Sequence, residues 1–161
     1  KSNLNSLLAT YYTGEVADEA RAILQDLENR TNIPEESTFT FDLNEDHYYI
    51  LAIESGGPSI NKTKIAISNF NTMFYKLNEY KTQSLMLNID YQLIIVKTFD
   101  KGNSAIKYLD AIKNSTEVNE LMGLSDYEHF VISSSNFKSF YKDKSLDKYL
   151  VYFEGKYLKY K

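Results

Sequence analysis

The stretch His47 to Ser55, HYYILAIES, constrains the chain more than any other. It comes after an acidic, turn-like DLNED and closes at Gly56-Gly57-Pro58. An aromatic and branched run bounded by turn signals reads as a buried strand. Its apolar residues occur at both parities: Tyr49, Leu51 and Ile53 point one way, Tyr48, Ile50 and Ala52 the other. A strand that is apolar on both sides belongs inside a sheet with both faces covered.

The remainder is read around this strand. Asn61 to Lys76 has helical spacing, with Ile65, Ile67, Phe70, Met73, Phe74 and Leu77 on its apolar side. Leu85 to Ile89 and Tyr91 to Phe99 read as the two strands of a hairpin broken at Asn88–Asp90. Leu93, Ile94, Ile95 and Val96 are again apolar at both parities, so this third strand is also central. Ser104 to Lys113 reads as a helix burying Ala105, Tyr108, Leu109 and Ile112, and after it comes a polar loop through Gly123 to Asp126. Tyr127 to Ser133 is a fourth strand. Asn136 to Tyr160 carries one or two helices, with Ser133-Ser134-Ser135 as their cap.

The order β-α-β-β-α-β, in an α+β chain, is the ferredoxin-like split βαβ pattern with an extra C-terminal helix. Right-handed crossovers then give the spatial order 4-1-3-2, with strands one and three in the centre. The two crossover helices cover one sheet face. The other face needs a cover too: the C-terminal helix, an N-terminal helix pair, or a second copy of the domain.

Residues 1–33 read as that helix pair. Leu4, Leu7 and Leu8 form a short stripe, Thr13-Gly14 punctuates, and Val16, Ala20, Ile23, Leu24 and Leu27 recur at helical spacing before Asn32-Ile33-Pro34 stops the pattern. A helical pattern is already running at KSNLNSLLAT, where no signal-peptide pattern is seen, so the chain is expected to be a piece of a longer protein. Residues 34–44 are taken as a polar linker and 45–161 as the main domain.

Chemistry is sought next. A formal charge of −4 and a pI near 5.2 offer no basic stripe for nucleic acid. No apolar run approaches the ~20 residues of a membrane helix. The chain has no cysteine, so thiolate metal sites and cysteine nucleophiles are excluded. The loop SGGPSIN lacks the arginine that acylphosphatase-like catalysis needs, and YQLIIVKTF lacks the signature of an RNA-recognition strand. His47 and His129 lie on different strands without companions at ligand spacing. Asp42, Glu45 and Asp46 lack the spaced ligands and glycine of a calcium loop. No catalytic, cofactor or metal residue emerges, and the expectation is a protein that is not an enzyme. The fourteen tyrosines fit either codon bias or a sticky recognition surface.

HYYILAI at 47–53, ISNFN at 67–71, Phe99 with AIKYLDAI at 105–112 after it, FVISSSNF at 130–137 and KYLVYFEGKY at 148–157 occur in that order. YYTGEVADEARAILQDL is similar to a closing tetratricopeptide-type repeat. Together they resemble the C-terminal domain of the SprE/PorW-like tetratricopeptide-repeat lipoproteins of Bacteroidetes type IX secretion and gliding motility. The resemblance implies a scaffold on the periplasmic side of the cell envelope that binds protein partners and performs no catalysis. No catalytic residue is carried over, and no contact of this fragment with nucleic acid or membrane is implied.

Two functions are therefore expected of different classes. The first is a protein-interaction module; the alternative is a small-molecule-sensing ferredoxin-like domain. For the first, the docking surface is expected on an open sheet face: Tyr49 and Leu51 on the first strand, with Tyr91, Leu93 and Lys97 at one parity of the third. The same face would serve a homodimer.

Overall fold

A computed structural model describes residues 38–123 and 127–160. The expected helical pair of residues 1–33 lies outside the described residues. The described part is α+β: an open, four-stranded antiparallel sheet of order β2-β3-β1-β4 with five α-helices. β1 is His47–Glu54, β2 Lys81–Met86, β3 Tyr91–Phe99 and β4 Tyr127–Ser133. The helices are α1 Ile60–Phe74, α2 Gly102–Lys113, α3 Thr116–Met122, α4 Ser134–Asp143 and α5 Leu146–Phe153, the last continuing into a π-type turn, Glu154–Leu158.

β1 is paired on both sides, with β3 and with β4, as its two apolar parities demand. Register then sorts the side chains into two layers, because residues directly opposite each other share a face. Tyr49 and Leu51 lie opposite Val96 and Ile94 on one side and Val131 and His129 on the other. This face is covered by α1 and α2: the Tyr108 ring stands 5.2 Å from Tyr49, 5.7 Å from Phe70 and 5.0 Å from Phe99. Ile50 and Ala52 lie opposite Ile95 and Leu93, and opposite Phe130 and Glu128. That second face is covered by α4 and α5, where Phe130 meets Phe140 at 5.7 Å and Tyr149 at 5.0 Å. Of the three expected covers for the second face, the C-terminal helices supply it.

One irregularity re-aims a core residue. Between Val96 and Phe99, β3 advances three residues while β1 advances two, from Tyr49 back to His47. The extra residue of such a bulge reverses the facing of the residues beyond it. Phe99 is thereby brought onto the α1/α2 side, 4.3 Å from the Tyr80 ring.

Three boundaries differ from expectation. β2 starts at Lys81 and ends at Met86, where Leu85–Ile89 was expected. It is an edge strand with sequence KTQSLM, and an edge strand needs no apolar alternation on its open side. The hairpin turn lies at the expected Asn88–Asp90, the Asn88 Oδ1 accepting from the Asp90 and Tyr91 amides at 2.9 and 2.8 Å. The expected loop after Lys113 contains α3, capped by the Ser115 hydroxyl. It is seven residues long and buries only Val118 and Met122, too few for a readable period.

Third, the linker assigned to 34–44 is corrected from Thr38 onward. Phe39 is buried 5.0 Å from the Tyr149 ring. The Asn136 side chain clasps Thr40, accepting from its amide at 2.9 Å and donating to its carbonyl at 2.7 Å. The Leu43 and Asp46 carbonyls accept from the Gly102 and Ser134 amides, each at 2.8 Å. Residues 38–46 are thus a strap across the start of α2 and α4, hidden from sequence reading because one buried ring and a few scattered hydrogen bonds, not a repeating apolar spacing, hold it. Ser133 caps α4 as expected, accepting from the Asn136 amide.

Asn136→Ala would leave both Thr40 main-chain groups without their partner, at a cost of about 1–3 kcal/mol for each group that stays buried. A loss of about 2–4 kcal/mol in urea-monitored stability is expected, with new protease cleavage inside 38–46. Unchanged stability and unchanged cleavage would refute the clasp.

Candidate functional site

The expected docking residues do not share a face. Tyr49 and Leu51 lie under α1 and α2, whereas Leu93 lies opposite Ala52 on the α4/α5 side; all three are buried. Lys97 also lies toward that side, its Nζ 5.8 Å from the centre of the Tyr48 ring. Tyr91 is half-buried opposite Glu54. Both sheet faces are covered by helices, so the homodimer expected through an open face has no such surface in the described domain. The correction has a simple cause. The C-terminal helices bury enough apolar surface to cover the face that the crossover helices leave bare.

A set of exposed apolar side chains lies elsewhere, along α1 and the short turn Lys76–Asn78 after it. Ile65, Met73, Phe74 and Leu77 were expected to face the core, yet they are 61, 72, 64 and 97 % exposed. Thr63, Ala66, Ile67, Phe70 and Asn71 are the side chains of α1 that are buried. Ile65 and Met73 belong to the flank toward α3. A hollow of about 440 Å³ between Lys62, Ile65, Glu120 and Leu121 meets, at Glu117, a second of about 580 Å³ bounded by Phe70, Met73, Phe74 and Asn114. Together they make a groove between α1 and α3. At ~1.5 Å per residue it is about 20 Å long from Lys62 to Tyr75. A signal for it was present in the sequence. The apolar set from Ile65 to Phe74 spans nine positions, placing its ends on opposite sides of a helix, wider than one buried face requires.

His47, at the end of β1, is fully buried. Its Nδ1 lies 2.8 Å from the Glu45 carbonyl and its Nε2 2.9 Å from the Tyr157 hydroxyl. A carbonyl only accepts, so Nδ1 carries the proton; in the neutral ring Nε2 accepts from Tyr157. Burial lowers the His47 pKa, against a smaller opposing pull from that carbonyl and the carboxylates of Glu45, Asp42 and Asp46. This arrangement ties the C-terminal turn to the sheet end and is structural. Glu45 is engaged by the Ser135 hydroxyl at 2.6 Å. Among the described residues no cluster of three or more His, Asp or Glu could hold a metal ion.

Tyrosines serve the core. Tyr49, Tyr108, Tyr149 and Tyr157 are among the largest fully buried side chains. Burial pushes the Tyr108 phenol far up, outweighing the hydrogen bond it donates to Asn71 Oδ1 at 2.6 Å. Tyr149 donates to the Val131 carbonyl at 2.8 Å.

His129 faces a smaller hollow at the β4 edge, with ring contacts to Tyr49 at 6.4 Å and Tyr127 at 5.6 Å. Burial, helped by the Lys113 charge, lowers its pKa from 6.5 to about 4. No helix among the described residues is long and apolar enough to cross a membrane. No family model matches the chain, and neither a curated protein nor a solved structure matches it.

The folded state refuses a proton at His129 that the unfolded chain accepts, so stability is full above pH ~6.5 and falls as pH drops toward about 4. His129→Gln is expected to flatten part of that fall, His47 retaining its own share in the same direction. Denaturation midpoints measured between pH 7 and 4 check this, and parallel curves for the two proteins would contradict it.

Proposed function

We propose that residues 38–160 form a non-catalytic protein-interaction domain of ferredoxin-like type, docking a partner through the α1–α3 groove. The single observation carrying this reading is the set Ile65, Met73 and Phe74, exposed and lining the two hollows of a groove of helix-like length. Partner helices cover solvated apolar rows of this kind. Three large apolar side chains in water are unfavourable by roughly 1.5–3 kcal/mol each relative to burial, enough in sum to reward a partner.

The strand order β2-β3-β1-β4, read from the other edge, supports the ferredoxin-like assignment. The five motifs that resemble the SprE/PorW-like lipoproteins supply the setting: the periplasmic side of the envelope, in a repeat scaffold serving secretion or gliding. Those motifs fall largely on buried positions, such as Ile50, Tyr108, Leu109, Phe130 and Tyr149, so they carry the fold of the family and leave partner choice to the groove.

The test is mild cross-linking of the tagged chain in its own cells, with captured proteins identified by mass spectrometry. Outer-membrane or secretion-machinery proteins are expected with the unaltered chain. Joint Met73→Glu and Phe74→Glu substitution should cut their recovery about tenfold while changing stability by less than about 1 kcal/mol, since both side chains are solvent-exposed. Equal recovery with both proteins would exclude the groove; recovery of the bait alone would exclude the scaffold role.

A further inference from the structure

The outer edge of β4 in the described sheet holds a cavity of about 270 Å³ whose lining crosses from one sheet face to the other. His129 enters it from the α1/α2 side and Glu128, the next residue along an alternating strand, from the α4/α5 side. Lys113, the last residue of α2, stands on one flank. Leu150 and Phe153 of α5, with Glu154 of the adjoining turn, stand on the other. The site therefore presents a cation, an imidazole, two carboxylates and an apolar wall within one small volume.

His129 is the unusual member. Among the described residues, neither ring nitrogen of His129 has a hydrogen-bond partner, and the half-buried ring stands beside Tyr49 and Tyr127 at the hollow. By contrast, both nitrogens of His47 are engaged. Lys113 and Glu154 likewise form no ion pair among the described residues. The side chains of Lys113, His129 and Glu154 thus converge on the cavity with donors and an acceptor to offer a ligand.

We propose that this cavity binds an apolar α-amino acid as its zwitterion. The carboxylate sits toward the Lys113 ammonium and the N–H of His129, the ammonium toward Glu154, and the side chain lies on Leu150 and Phe153. A purely anionic ligand would face the Glu154 carboxylate, and a purely cationic one would face Lys113; an unmatched charge in a partly dry site is costly. The zwitterion answers both signs at once. The volume suits a single small metabolite, just below the range of drug-sized pockets. The inference goes beyond partner docking and does not depend on it, because the cavity and the groove share no lining residue.

Calorimetric titration of the full chain with L-leucine and L-phenylalanine tests it. N-acetyl-leucine lacks the ammonium, leucinol lacks the carboxylate and glycine lacks the side chain. Saturable binding of leucine or phenylalanine at about millimolar Kd or tighter is expected, at least about tenfold weaker for all three comparators. Lys113→Gln and Glu154→Gln, both at exposed positions, should each weaken leucine about tenfold with an unchanged unfolding midpoint. No saturable heat for either amino acid up to about 10 mM would overturn the proposal. So would a comparator binding as tightly, or both variants binding like the unaltered chain.

Discussion

A strand apolar at both parities can be satisfied only between two layers, and the domain is built by satisfying β1. Its two edges are taken by β3 and β4, and its two faces by helices. The α1/α2 layer comes from the connections that a β-α-β-β-α-β order requires. The α4/α5 layer comes from C-terminal sequence added after the last strand. Removing that second layer would expose Ile50, Ala52, Leu93, Phe130 and Ile132 together, a patch no monomeric domain tolerates in water.

Aromatic packing carries much of the two layers. On one face Tyr108 collects Tyr49, Phe70, Tyr75, Tyr80 and Phe99 within 5.0 to 5.8 Å. On the other, Phe130, Phe140, Tyr149 and Phe39 form a second cluster. A tyrosine in such a place brings phenylalanine-like area and a hydroxyl that needs a partner. Tyr108 finds Asn71 and Tyr149 finds the Val131 carbonyl. Several tyrosines are in this way absorbed by the interior, while Ile65, Met73, Phe74 and Leu77 are among the large apolar side chains that stay exposed.

Polar residues fasten the ends of the sheet. His47 holds the C-terminal turn through Tyr157, Asn136 holds the strap through Thr40, and Glu45 holds the start of α4 through Ser135. These pairs are 110, 96 and 90 positions apart, so the first and last parts of the domain close over the same end. Buried hydrogen bonds of this kind add modest net stability when made and cost more when broken. They specify which segments meet rather than how strongly the core holds.

Sequence periodicity alone determined the elements whose side chains obey one rule along their length: β1, β3 and β4, the bodies of α1 and α2, and the central placement of the two doubly apolar strands. It also determined the cap at Ser133, because a serine before a helix acts on its own neighbours. Tertiary structure decided the rest, for a physical reason. Whether Tyr49, Leu51 and Leu93 are covered depends on where α4 and α5 come to lie, and local spacing does not encode that. The strap at 38–46 is held by one buried ring and scattered hydrogen bonds, and the polar edge strand β2 by its main-chain pairing with β3; neither leaves a repeating side-chain pattern. The groove beside Met73 and the meeting of Lys113, His129 and Glu154 at the β4 edge join residues far apart in the chain, and only folding brings them into one place.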